Sequence, residues 1–101
     1  MSKSVRFHSA ALAEFAAEVE YYESKVRGLG ERFIDEVQAA VAIAREFPDM
    51  GSPFRFGCRR VFPKKFPFAV IYHIRADEII VLAVAADARK PGYWRNRAVN
   101  R

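Results

Sequence analysis

The chain has 101 residues, 51% of them apolar and 29% charged, with a formal net charge of +5. That length suits one domain over residues 1–101 with a single core, and the apolar content with fourteen aromatic residues excludes a disordered chain. The one cysteine, Cys58, excludes an internal disulfide; no apolar run approaches the ~20 residues that span a membrane and no signal core follows the N-terminal Met-Ser-Lys-Ser-Val-Arg-Phe-His, so a soluble, cytoplasmic protein is expected.

Residues 4–8 alternate and predict a short strand, with Ser9 placed to cap a following helix. Leu12, Phe15, Ala16, Val19 and Tyr22 recur at spacings of three and four, which predicts a helix over 10–26 with one apolar stripe. Glu14, Glu18, Glu20 and Glu23 lie mostly off that stripe. Gly28-Leu29-Gly30 is expected to break the helix, because glycine takes the left-handed backbone of a C-cap readily. A second stripe of Phe33, Val37, Ala40, Ala44 and Phe47 predicts a helix over 31–47, stopped by Pro48. The short link between the two implies an antiparallel helical hairpin.

Beyond Pro48 the apolar period falls from 3.6 to 2. Residues 58–62 read as a strand, Lys64-Lys65-Phe66-Pro67 as a turn, 68–74 as a second strand, 75–78 as a hairpin turn and 79–85 as a last, most apolar strand. The fold class is therefore α+β: an N-terminal strand and a helical hairpin packed on a three- to four-stranded antiparallel sheet, whose other face is left free for function.

Charge is divided unevenly. The first fifty residues carry six Lys/Arg and nine Asp/Glu, a formal −3; the remainder carries eleven Lys/Arg and three Asp/Glu, a formal +8. The basic half reads either as a solvated face or as a site for phosphates or a carboxylate-rich protein. Arg59 and Arg60 are neighbours on a strand and must point to opposite faces. Arg89, Tyr93 and Trp94 follow the last strand closely. An arginine with a phenol could clamp a phosphate, and tyrosine could transfer a proton; equally, Tyr93 and Trp94 could pack on the sheet and pin the C-terminus. No His/Cys/Asp spacing matches a metal site, no glycine-rich phosphate loop is present, and no cofactor is expected. His73 reads as a half-buried structural residue, and Cys58 as a packed thiol.

Several stretches together resemble the RelE/ParE superfamily, the toxins of type II toxin–antitoxin modules often described as plasmid stabilisation proteins. They are Glu20-Tyr21-Tyr22, Gly28-Leu29-Gly30-Glu31-Arg32-Phe33, Phe47-Pro48, Arg60 followed by Phe66-Pro67-Phe68-x-Val70-Ile71-Tyr72, and Arg89-x-Pro91-Gly92-Tyr93-Trp94. The resemblance covers nearly the whole chain in order. It implies a cognate antitoxin that wraps the toxin, with a toxin–antitoxin heterotetramer as one compatible assembly. It also implies one of two targets. ParE-like members act on DNA gyrase; RelE-like members cleave mRNA on the ribosome without a metal, using basic residues and a C-terminal tyrosine or histidine. Ala69 stands where the nucleases tend to carry an arginine, and Ala85-Ala86-Asp87 where many carry a histidine, so the expected function is growth inhibition by binding gyrase. The contacts to target or antitoxin are expected from Arg59, Arg60, Lys64, Lys65, Arg89, Tyr93, Trp94 and Arg95. The alternatives are a ribosome-dependent endoribonuclease, with Arg89 and Tyr93 as its catalytic pair, and a non-toxic relative that only binds an acidic protein.

Overall fold

The computed structural model describes residues 3–86, 92–94 and 96–97. In chain order they form β1 (Ser4–Phe7), α1 (Ser9–Lys25), α2 (Leu29–Glu46), β2 (Ser52–Pro53), β3 (Arg59–Val61), β4 (Phe68–Arg75) and β5 (Glu78–Ala86), with single 3₁₀ turns at Pro48–Met50 and Arg55–Gly57. One sheet contains all five strands in the order β1-β5-β4-β3-β2. The α+β class and the helical hairpin are as expected, but the sheet has one more strand and is mixed. β1 runs parallel to β5, pairing Val5 with Ile79 and Phe7 with Val81, while every other pairing is antiparallel. β2 escaped the sequence reading because two residues carry no alternation. Its Pro53 suits an edge strand, where a missing N–H leaves no partner unpaired.

The helix ends correct two expectations. His8, not Ser9, caps α1: its backbone is extended (φ −61°, ψ 143°) and its Nδ1 accepts from Ala10 N–H at 3.1 Å. The His8 N–H bonds Val81 O at 2.9 Å, so the end of β1 holds this residue outside the helix and Ser9 becomes the first helical position. Gly28 (φ 85°) makes the left-handed turn, but Gly30 lies inside α2 and breaks nothing. A Cβ on Gly30 would stand 2.7 Å from the Val19 carbonyl oxygen, so glycine is what lets the two helices meet there. Glu23 closes the junction: its carboxylate accepts from the N–H groups of Gly28 and Gly30, both at 3.0 Å, and sets a negative charge at the N-terminus of α2.

The hairpin packs on one sheet face. Ala11, Phe33, Val37 and Ala40 meet Phe68, Val70, Val81 and Val84, all fully or almost fully buried. Phe15, Tyr22, Phe33, Phe66 and Phe68 form a ring cluster with centroids 5.0–6.1 Å apart. At the end of the sheet Tyr72 is fully buried, and its hydroxyl donates to Pro48 O at 2.6 Å. Burial raises its pKa above the ordinary tyrosine value.

The second face is not left free. Cys58, Ala69, Ile71, Ile80, Leu82, Ala83 and Ala85 are covered by Trp94, itself 1% exposed, with Phe54 and Tyr93 beside it. A bulge assists this. Ile71 pairs with Ala83 and Tyr72 with Val81, so Leu82 is an extra residue, and both Leu82 and Ala83 join the Trp94 cluster. A strand as apolar as β5 calls for cover on both sides, and the Trp94 that covers its second side lies far along the chain from the helices that cover its first.

Candidate functional site

β1 ends at Phe7 while β5 continues to Ala86, so among the described residues no strand lies beside the outer edge of β5 beyond Val81. Two side chains take the strand's place. The Glu14 carboxylate, on α1, accepts from Val84 N–H at 3.1 Å, and the Arg97 guanidinium donates to Leu82 O at 2.9 Å. The two side chains pair with each other through both oxygens, at 3.1 and 3.0 Å. The Tyr93 hydroxyl donates to the second Glu14 oxygen at 2.8 Å, and Arg97 lies over the Tyr93 ring, 5.1 Å from its centroid. Such bidentate, part-buried pairing is the strong form of an ion pair. The arrangement clasps the C-terminal turn to the sheet edge. Neither Glu14 nor Arg97 was singled out in the sequence, because their spacing of more than eighty residues leaves no local trace.

The candidate residues separate accordingly. Tyr93 belongs to the clasp and Trp94 to the covered face, where its ring centroid lies 5.8 Å from those of Phe54 and Phe56. Arg59 and Arg60 do point to opposite faces. Arg59 pairs with Tyr72 on the helix side and donates to the carbonyls of Asp49 (3.1 Å) and Gly51 (2.7 Å), pinning the loop after α2. Arg60 pairs with Ile71 on the Trp94 side. Its guanidinium carbon lies 4.0 Å from the Phe54 centroid and 5.2 Å from that of Phe62. Its Nε is buried with no hydrogen-bond partner. Lys64 and Lys65 are exposed in the turn after β3, Lys65 with φ 68°. Arg89 and Arg95 lie outside the described residues, as does Asp87. Ala69 is 7% exposed in the Trp94 cluster. The Cys58 thiol is buried there too, and burial pushes its pKa up to about 11. His73 is half-buried.

A feature the sequence reading did not anticipate is an apolar groove of about 380 Å³ where β1, α1 and α2 converge. Val5, Phe7, Leu12, Phe15, Val37 and Val41 line it, and Gln38 and Arg45 stand among them. Leu12 is 54% exposed, so the stripe of α1 is wider than the core needs. That surplus was visible in the helical spacing but indistinguishable there from core.

Among the described residues no three His, Cys, Asp or Glu side chains gather where a metal ion could be held. No described helix is long and apolar enough to cross a membrane.

The described architecture is two antiparallel helices over a mixed five-stranded sheet, and its fold is similar to that of a solved structure. The chain matches the structure described as "Chromosomal ParDE TA system from P. aeruginosa" with a TM-score of 0.72 over 84% of its own length and 96% of the other chain, at 18% identity. The family model described as "ParE toxin of type II toxin-antitoxin system, parDE" matches residues 5–91, from β1 past the end of β5. The chain therefore belongs to the ParE toxin family of type II toxin–antitoxin systems. It has no match among curated protein sequences.

Proposed function

We propose that this protein is a cytoplasmic toxin that inhibits DNA gyrase by binding it, and that a cognate antitoxin holds it in check. The observation that carries the reading is membership of the ParE family over residues 5–91. The geometry agrees with a binder better than with a nuclease. The Tyr93 hydroxyl, the expected proton carrier, is tied to Glu14, and the carboxylate is itself saturated by Val84 and Arg97.

The antitoxin's place, in this reading, is the groove between β1, α1 and α2. It is apolar along its floor, and an amphipathic segment laid into it would bury the exposed side of Leu12 while an acidic rim met Arg45. Purified toxin should block supercoiling by gyrase, and pre-incubation with the antitoxin should restore it. Full supercoiling at a large excess of toxin over gyrase would overturn the gyrase assignment. Cleavage of mRNA in a translating lysate, lost in Arg89→Ala, would replace it with the nuclease reading.

A further inference from the structure

Arg60 is a half-buried cation whose Nε its own fold leaves without a partner. An arginine on a sheet face ordinarily finds a carboxylate or carbonyl oxygen, as Arg6 finds Glu78 at 2.8 Å and Arg97 finds Glu14 at 3.0 Å. The Arg60 Nε is out of water and finds no hydrogen-bond partner. Phe54 and Phe62 hold it instead, at 4.0 and 5.2 Å. Stacking on rings takes up the guanidinium's faces and leaves its in-plane N–H donors unspent. Those donors form a fixed fork whose complement is a planar, bidentate acceptor such as a carboxylate.

The surroundings narrow the partner. Phe62 and Phe56 are each 52% exposed, and Phe54 and Phe56 continue the surface onto Trp94. Phe56 is held there at φ 61°, a conformation that bulky residues adopt only under constraint. Arginine and aromatic side chains around a dry centre are the composition of protein-binding hot spots. A nucleic-acid track asks for a row of cations along a backbone. The core beneath this face of the sheet is apolar, built of Cys58, Ala69, Ile71, Ile80, Leu82, Ala83 and Ala85.

We infer that Arg60, held between Phe54 and Phe62, is the anchor of the toxin's target-docking surface, which receives a carboxylate borne on an apolar segment of the target protein. This rests on the proposal that the toxin acts by binding gyrase, and adds where and through what chemistry. It also assigns the two faces of the molecule to two partners, because the apolar groove lies on the helix side of the sheet and Arg60 on the other.

The test has two arms. In the first, the Nε–H resonance of Arg60 is followed while the protein is titrated with a short synthetic peptide carrying one glutamate between leucines, and separately with a dT oligonucleotide. The peptide is expected to shift the resonance and the oligonucleotide to leave it. A shift with the oligonucleotide alone, or with neither, overturns the inference whether or not gyrase is the target. In the second, Arg60→Met and Phe62→Ala are compared with wild type in gyrase supercoiling. Each is expected to weaken inhibition about tenfold or more, as removal of a central anchor does, while the thermal midpoint stays within a few degrees and the antitoxin still binds. Equal inhibition by wild type and Arg60→Met overturns the inference and leaves the gyrase reading standing. Failure of wild type to inhibit overturns the gyrase reading, and the peptide arm then decides the carboxylate site by itself.

Discussion

Glu14 shows how much one side chain carries here. It accepts from a backbone N–H, a tyrosine and an arginine, and is only 17% exposed, with Arg97 at 18%. Glu14→Ala would leave Arg97 and Val84 N–H without their acceptor, so about 2–3 kcal/mol should be lost. For a domain of this size that is a fall of roughly 10–20 °C in thermal midpoint, measured by calorimetry. A midpoint unchanged by the substitution would show that the clasp contributes nothing. Cys58 makes a prediction with a pH sign. Its thiol pKa rises from 9.0 unfolded to about 11 folded, so the native state holds its proton more tightly. That stabilisation is complete below about pH 9 and is lost as pH rises through 11. Cys58→Ala should flatten the alkaline fall in stability between those values, and the native thiol should react with a disulfide reagent at pH 8 far more slowly than the unfolded one. That Arg59 and Arg60 point to opposite faces was legible, since they are neighbours on a strand; the Phe54 and Phe62 rings that hold Arg60 were not singled out, and a turn brings Phe54 back to it.

Among the elements, the helical hairpin was the most readable and its junction the least. Apolar residues at a 3.6 period mark a helix face that must be covered, and in this chain most of both stripes packs on the sheet. The ends of a helix depend on single hydrogen bonds, and both ends at issue were settled by partners elsewhere: His8 by Val81 of β5, and Gly30 by Val19 of α1. Gly30→Ala should cost about 1–3 kcal/mol by forcing the helices apart, against the usual gain of alanine over glycine in a helix. A stabilised Gly30→Ala variant in urea unfolding would contradict the close approach. β3 and β4 fell within two residues of expectation because alternation and Pro67 marked them. β2 did not, since two residues hold no period.

At the scale of the whole molecule, the sheet divides the surface in two. The helix side offers the apolar groove, and the other offers Arg60 among phenylalanines. Damage to one side should therefore spare the other's partner. Leu12→Glu together with Ala42→Glu, both at exposed positions lining the groove, should abolish neutralisation by the antitoxin through desolvated charge while leaving growth inhibition intact. Colony counts with and without co-expressed antitoxin read this directly; rescue as complete as wild type would remove the groove from the interface.

The uneven charge of the two halves, −3 and +8, says less than it promised. Of the basic residues described in the second half, Arg59 is spent on loop carbonyls and Arg97 on Glu14, so the count overstates the free positive surface. The sequence by itself determined the α+β class, the helical hairpin and the three strand regions after Pro48, because periodicity and turn residues are local and act within a few positions; the superfamily came from the resemblance of its motifs. Only the tertiary structure decided the parallel seam of β1 on β5, the cover that Trp94 places on the second face, and which arginine keeps its donors. Each of those joins residues far apart in the chain, where the free energy lies in packing and hydrogen-bond completion that no local pattern records.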